Sequence, residues 1–227
     1  MDKKISVLIR CKDEERWIGH TIQSVLDLVP NNEIIVIDDT SQDKSIEIVR
    51  QFESNPSLEL NRAKYTDISI HSITDYSPGK AINLGVSVAS DDSEYIMIIS
   101  SHCILKNFDI PDNLNKLEEN IAVFGNQIPI YRGQKITKRY LWSHFKESSE
   151  VDMYSESEER YFFHNALSLF KKSILLDNPF DENLVGKEDR YWANKMINEK
   201  KGHIFYNSNF ICDHHYTDKG NTWKGIG

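Results

Sequence analysis

The sequence predicts an α/β protein with a doubly wound, mostly parallel central sheet and helices on both faces. Three observations predict it. Ile5–Ile9, Glu33–Ile37 and Tyr95–Ile99 are near-continuous apolar runs without alternation, the pattern of strands covered on both sides. Each run stops abruptly at polar residues. Between the runs lie stretches with apolar residues at helical spacing, joined by short loops, which is the order of βαβ units.

Taken in order, Ile5–Ile9 is the first strand and ends at Arg10-Cys11-Lys12-Asp13. Ile18, Ile22, Val25 and Leu26 then mark a helix, with Asp13 as its expected N-cap. After Pro30-Asn31-Asn32 the second strand runs to Asp38-Asp39, and Asp43 opens a helix with Ile46, Val49 and Phe52 inward. Leu58–Tyr65 and Ile68–Ile73 are weaker strand candidates. Ser77-Pro78-Gly79 leads into a helix to about Ala89, and the third strong strand, from Tyr95, closes at Ser100-Ser101-His102-Cys103. Asn113–Glu119 has helical character and Ile121–Gly125 strand character. Glu147–Glu159, acidic and serine-rich, reads as a mobile solvated loop. Leu184–Asp189 is a polar loop before a helix from Arg190, where Trp192/Met196 and Ala193/Ile197 stack at i,i+4. His203–Tyr206 and Phe210–Cys212 read as two short strands before Asp213-His214-His215-Tyr216-Thr217. No linker divides the chain, so residues 1–227 are expected to form one domain. Up to about residue 105 the chain reads as a nucleotide-binding α/β half, and residues 106–227 as a less regular second half.

With 27 basic and 35 acidic residues among 227, the net charge of −8 argues against sequence-independent nucleic-acid binding. No run approaches the roughly 20 apolar residues of a membrane span, and Met1-Asp2-Lys3-Lys4 opens no signal-peptide core. Three widely spaced cysteines fit reduced thiols in a cytoplasmic protein.

Chemistry is expected where the strands end, because ligands of open α/β sheets bind beyond the strands' carboxyl ends. A carboxylate at Asp39 can accept from a ribose hydroxyl or a base N–H, whereas capping of the next helix is the competing role. No G-x-G-x-x-G or G-x-x-x-x-G-K-[ST] follows these strands, which counts against dinucleotide and P-loop sites. Glu188-Asp189, just before a helix, suits either capping or a general base whose ionised form the helix N-terminus favours. His102, Cys103, Cys212, His214 and His215 have zinc-ligand chemistry but no C-x-x-C or H-x-x-x-H spacing. A looser Mg²⁺ or Mn²⁺ site built from one His and substrate phosphate oxygens is the better reading.

Together these motifs resemble the inverting family 2 glycosyltransferases, which have the GT-A fold. SVLIRCKDEERWIGHTIQSV resembles their opening strand, loop and helix, and IIVIDDTSQDKS their nucleotide-binding Asp-Asp segment. SPGKAINLGVSVASDDSEYIMIIS resembles the lead-in to their DXD motif, and GKEDRYW their Glu-Asp loop. Ser100-Ser101-His102 stands in place of DXD. A branch resembling bacterial rhamnosyltransferases carries a similar Ser-x-His, and is also similar at VFGNQIP, at NPFDENLVGKEDRYW and at the closing His214–Thr217.

The resemblance implies the following roles. Arg10 and Lys12 lie near the base, Asp39 binds the nucleoside, and Lys80 and Asn83 open the helix that approaches the nucleotide. Ser101 and His102 face the diphosphate. Asp189 is the general base, and Glu188 positions the acceptor. Arg190 and Trp192 shape the sugar pocket, His164 and Asn165 line the cleft, and His214 completes a metal or phosphate site with His102. The donor is a nucleoside diphosphate sugar, and the acceptor is a hydroxyl of a glycan or lipid-linked molecule in bacterial surface polysaccharide synthesis. A GT-A-like domain that binds but transfers nothing, and a nucleotidyltransferase, are the alternatives. Metal dependence stays open. Ser100 lacks an aspartate's charge, so His102 either ligates Mn²⁺ or Mg²⁺ through a neutral nitrogen or, protonated, donates to the diphosphate. Work at the inner face of the cell membrane would need only peripheral association.

Overall fold

The computed structural model describes residues 4–53, 67–136, 140–218 and 223. The first half alternates strand and helix: β1 (Ile5–Cys11), α1 (Ile18–Leu28), β2 (Asn32–Asp38), α2 (Ser45–Glu53), β3 (Asp67–Ser72), α3 (Pro78–Val88) and β4 (Tyr95–Ser100). β5 (Cys103–Asn107), α4 (Ile110–Glu119), β6 (Ala122–Tyr131) and β7 (Gln134–Lys135) follow. After a 3-10 turn at Tyr140–His144 come three two-residue strands, β8 (Glu150–Val151), β9 (Tyr154–Ser155) and β10 (Arg160–Tyr161). The chain ends with β11 (Leu167–Lys171), α5 (Lys172–Asp177), α6 (Glu188–Asn198) and β12 (Ile204–His215). The candidate strand Leu58–Tyr65 lies outside the described residues.

The main sheet has the order β3-β2-β1-β4-β11-β6-β12-β5. β1, β2, β3 and β4 pair in parallel, and β6 and β12 run the same way. β11 is antiparallel to both β4 and β6, and β5 is antiparallel to β12. The sheet is therefore mixed but mostly parallel; the crossovers after β1, β2 and β3 leave from one carboxyl edge, and those after β5 and β11, which run the other way, leave from the opposite edge.

Each strand divides its side chains between two cores. Leu8, Ile35, Ile37, Ile96 and Ile98 face α3, α5 and α6. Val7, Ile9, Ile34, Val36, Met97 and Ile99 face α1, α2 and α4. Both faces are dry, which is why the strands read as unbroken apolar runs. Ile18, Ile22 and Val25 of α1 are fully buried, each burial being worth about 1.5–3 kcal/mol.

Four local expectations are corrected. Asp13 does not cap α1: its carboxylate accepts from the Gln42 N–H at 2.7 Å, and the helix starts at Ile18 without a side-chain cap. Glu188 and Asp189 form the first turn of α6 rather than a preceding loop. His203–Tyr206 and Phe210–Cys212 belong to one strand, β12, interrupted by an irregularity between Asn207 and Ile211. Glu147–Glu159 is not simply solvated, because the side chains of Ser155 and Glu158 are buried within it.

Ser77 caps α3 through the Lys80 N–H. Its hydroxyl also donates to the Glu182 carbonyl at 2.6 Å. A Cβ on Gly79 would lie 2.9 Å from the Asp181 carbonyl carbon, so only glycine lets residues 181–182 approach this closely. Asn83 completes the clasp, accepting from the Phe180 N–H at 3.1 Å and donating to the Phe180 carbonyl at 2.9 Å. These ties position the chain that leads to α6.

Candidate active site

A cleft of about 890 Å³ opens at the carboxyl ends of β1, β2 and β4 and is closed from the other side by α6 and the loop before it. Its lining includes Arg10, Lys12, Asp39, Ser101, His102 and His164, together with Glu188, Asp189 and Arg190. Nine of the residues singled out from the sequence therefore share one space, although 179 positions separate Arg10 from Asp189.

The Asp-Asp pair after β2 divides the two roles that its sequence left open. Asp38 is buried and turns inward, its Oδ1 and Oδ2 each 3.2 Å from the Ser41 N–H. Asp39 remains on the cleft wall, its Oδ2 4.0 Å from Lys12 Nζ. Lys12 also donates to the carbonyl of Thr40 at 3.1 Å, which holds this strap across the mouth of β1.

Glu188 and Asp189 are both buried, and their surroundings push them in opposite directions. Burial raises the Glu188 pKa, and the neighbouring Asp189 charge adds to the rise, against Arg10, whose Nη1 is 3.3 Å from Glu188 Oε1. Burial also opposes the Asp189 charge, but Arg190, His164 and two backbone N–H groups outweigh it and lower its pKa. Asp189 Oδ2 accepts from the Asn165 N–H at 3.1 Å. Its Oδ1 accepts from the Arg190 N–H at 2.8 Å and from Arg190 Nη1 at 3.2 Å. An ionised carboxylate offers about four lone-pair positions, so among the described residues these three bonds leave one open, on Oδ2.

Arg190 is itself held in place. Its Nε is 3.1 Å from Glu158 Oε2, and its guanidinium lies 5.0 Å from the centre of the Phe162 ring. The Glu158 carboxylate also meets Lys187 at 3.7 Å. Glu158 was not among the residues singled out from the sequence; it sits in an acidic serine-rich stretch, where a buried acid carries no local signature.

On the other side of the cleft runs a chain of side-chain contacts. Glu14 Oε1 is 2.9 Å from His102 Nδ1, His102 Nε2 is 3.0 Å from His214 Nε2, and His214 Nδ1 is 3.0 Å from Gln127 Oε1. Burial drives the His214 pKa well below its usual value. A neutral His214 that donates Nδ1–H to Gln127 presents a lone pair at Nε2. Glu14 and Gln127 fall inside stretches that carry the family resemblance, but neither was singled out there; contact with the histidines is what marks them.

Some expected site residues lie elsewhere. Trp192 is a core residue: it is buried, donates to the Asn178 carbonyl at 2.8 Å and stacks on Phe180. It does not shape the cleft. Asn83 belongs to the clasp on residues 180–182, and Lys80 pairs with Asp75, both outside the lining. Asn165 acts through its backbone on Asp189 and reaches Ser168 with its side chain. His214 is fully buried and does not itself line the cleft; its ring lies directly behind His102, Nε2 to Nε2 at 3.0 Å. The five-residue zinc set is not assembled, because Cys103 and Cys212 point into the core under α1 and α4. All three cysteines are free and buried.

A sheet of this order, with a carboxylate pair at a helix N-terminus facing a strand-end carboxylate and imidazole, defines a GT-A type of protein. Residues 6–177 match the profile of glycosyl transferase family 2, and the chain belongs to that family. The match ends before Glu188. Poly-beta-1,6-N-acetyl-D-glucosamine synthase of Staphylococcus epidermidis is 29% identical over 208 residues, covering 86% of this chain and 43% of that protein. The minor teichoic acid biosynthesis protein GgaA of Bacillus subtilis is 26% identical over 208 residues, covering 86% and 44%. The chain thus spans less than half the length of these two relatives. Residues 1–349 of TarS from S. aureus, solved in complex with UDP-GlcNAc, superpose with a TM-score of 0.70 at 17% identity, covering 98% of this chain and 61% of that one. That likeness shows the GT-A fold. Among the described residues, no helix is long and apolar enough to cross a membrane.

Proposed function

We propose that this chain transfers a sugar from a nucleoside diphosphate sugar to a hydroxyl of a glycan or lipid-linked acceptor, with inversion, during assembly of a bacterial surface polysaccharide. The observation that carries this reading is Asp189. It is buried, held ionised, left with one open lone pair, and set in the same cleft as Asp39 and His102. The acceptor hydroxyl would hydrogen-bond to Asp189 Oδ2 and give up its proton there as its oxygen attacks the anomeric carbon. The bond from that carbon to the diphosphate breaks, and its electron pair leaves with the nucleoside diphosphate. Positioned base catalysis of this kind contributes on the order of 10²–10⁴-fold. Arg10 fixes Glu188 beside the acceptor, and Asp39 with Lys12 marks the nucleoside end.

The leaving diphosphate needs positive charge, and the residues here fit a divalent ion. Each imidazole has its Nδ1 held by an outer partner, Glu14 for His102 and Gln127 for His214, which orients Nε2 as ligating metal sites do. His102 and His214 would hold Mn²⁺ or Mg²⁺, and a bound ion would supply Lewis-acid stabilisation to the departing phosphate. Among the described residues no group of three His, Cys, Asp or Glu could hold an ion alone, so substrate oxygens and water would complete the shell.

In this reading the chain acts as one domain, with residues 1–105 taking the nucleotide and 106–227 the acceptor. Its place is the cytoplasm, at the inner membrane face when the acceptor is lipid-linked. UDP-GlcNAc is the first donor to test, because TarS was solved with it and the S. epidermidis relative is named for an N-acetylglucosamine polymer. The test compares wild type with Asp189→Asn, reading UDP release with Mn²⁺ and hydroxyl acceptors, and donor binding by thermal shift. Transfer should fall at least about a hundredfold while donor binding holds. An Asn variant that turns over normally removes Asp189 from the base's role. Donor binding with no transfer to any acceptor in wild type would favour the binding-only reading.

A further inference from the structure

A second cavity of about 390 Å³ adjoins the cleft and shares Lys12, Glu14 and Thr217 with it. Neither Asp39 nor Asp189 lines it. Its walls come from the β1–α1 loop, the tip of the β6–β7 hairpin and the end of β12. Two guanidinium groups lie on aromatic faces there. Arg16 is 4.9 Å from the Trp17 ring centre, and Arg132 is 5.2 Å from that of Tyr131. Trp17 stacks on His215 at 4.0 Å, and Tyr131 meets Tyr216 edge-on at 4.9 Å.

The cavity sets Lys12, Arg16 and Arg132 against three carboxylates, Asp13, Glu14 and Asp218, and what distinguishes them is their partners. Its three carboxylates are engaged within the protein. Asp13 accepts from the Gln42 N–H, Glu14 from His102, and Asp218 pairs with the Tyr216 hydroxyl. Arg16 and Arg132 are exposed, and among the described residues neither makes an ion pair. Arg132 also sits in an unusual conformation. With φ of 50° it precedes Gly133 at φ 77°, a hairpin tip where Asn, Asp or Gly is the usual first residue. An arginine there forgoes the favoured turn chemistry and places a guanidinium at the cavity instead.

Aromatic faces beside planar guanidinium groups suit a ligand that alternates sugar or polyol surfaces with phosphate. Guanidinium recognises phosphate in two-pronged fashion, and the stacked ring limits its freedom. We propose that this cavity is a subsite for a phosphate-bearing stretch of the acceptor chain, entering the reaction cleft past Lys12 and Thr217. That the ligand is the acceptor rests on the transferase reading above; that the cavity binds sugar–phosphate chains does not. The phosphate belongs either to a polyol-phosphate polymer or to the diphosphate of a lipid-linked sugar.

The test titrates the whole chain by calorimetry at low and at physiological salt. The probes are a poly(glycerol phosphate) oligomer, a short-chain lipid diphosphate-linked N-acetylglucosamine, a neutral N-acetylglucosamine oligomer, inorganic phosphate and UDP-GlcNAc. The variant is Arg16→Gln/Arg132→Gln. At least one of the two phosphate-bearing chains should bind, should weaken with salt, and should lose on the order of tenfold in the variant. The arm that binds identifies the source. UDP-GlcNAc affinity should be unchanged. The proposal is overturned if neither chain binds, if the neutral oligomer or bare phosphate binds as well as they do, or if the variant binds them normally. It is also overturned if the variant loses UDP-GlcNAc, which would make the cavity part of the donor site. A wild type that binds a phosphate chain but not UDP-GlcNAc would leave this subsite standing and count against the transferase reading with that donor.

Discussion

Glu158→Ala should be among the most damaging single changes outside the sheet core. In the folded chain the Glu158 carboxylate is only 5% exposed and Arg190 9%, with 3.1 Å between them. Removing the acid leaves a buried guanidinium with Asp189 as its remaining carboxylate and the Phe162 ring beneath it. Breaking one side of a buried pair costs about 3–5 kcal/mol, because the surviving charge stays desolvated. A domain of this size loses about 2–4 °C of Tm per kcal/mol, so the expected fall is about 6–20 °C. Lys187 does not change this: it is half-exposed at 3.7 Å and loses little with its partner. Glu158→Gln keeps the shape and one acceptor, so its loss should be smaller. Glu156→Ala, two residues away and exposed, should change Tm by less than about 2 °C. Differential scanning calorimetry of the three variants decides the matter. If Glu158→Ala melts with wild type, Arg190 is hydrated in solution and the Glu158–Arg190–Asp189 linkage is wrong.

Three further outcomes can be checked. Gly79→Ala should destabilise by about 1–3 kcal/mol, because its Cβ meets backbone at residue 181 rather than a side chain that can yield; Gly85→Ala, facing only the Leu8 side chain, should cost less in the same denaturant titration. Burial lowers the His164 pKa to about 3. Its folded value is depressed below the unfolded one, so its stabilising contribution is full above about pH 6.5 and is lost as pH falls toward 3, at up to about 1.4 kcal/mol per pH unit. The difference in Tm between wild type and His164→Asn from pH 7 to pH 5 isolates that slope; a constant difference would mean that the imidazole is not buried neutral. Mn²⁺ at a hundred times its Kd should raise stability by about 2.7 kcal/mol. The thermal shift should vanish in both His102→Ala and His214→Ala, whereas an undiminished shift in either places the ion elsewhere.

Much of the sheet was legible because β1, β2 and β4 are buried on both faces, and the few polar residues within such strands have to find partners, as Ser6 and Glu33 do in each other. The position of β11 was not, since periodicity reports which faces are buried but not which strand is the neighbour. Its antiparallel insertion between β4 and β6 follows only from three-dimensional pairing. β12 read as two strands because Asn207-Ser208-Asn209 interrupts its apolar pattern at the point where its register shifts. At Trp192 two signals conflicted. Helical spacing paired it with Met196 on one face, and the resemblance put it at the sugar; the structure sides with the spacing. Cleft residues at strand ends were readable because topology alone carries them to one edge. Glu14, Gln127 and Glu158 were not, because each acts on a partner at least 32 positions away.

The carboxylate pair shows why position and ionisation have to be argued together. Two adjacent acids in one buried turn cannot both ionise freely, since each charge raises the other's pKa. The surrounding groups break the tie. Glu188 has one cation, reached at 3.3 Å through Arg10, and its pKa stays raised. Asp189 has a cation, two backbone donors and the nearby His164, and its pKa falls. Negative charge is therefore favoured on Asp189 over Glu188, at the N-terminus of α6, where the helix adds to the preference. A carboxylate so well stabilised is a weak base, so its value to a transfer reaction would come from placement: one open lone pair on a fixed oxygen, beside a cleft whose opposite wall carries Asp39 and His102. The same three bonds that weaken it as a base prevent it from turning away.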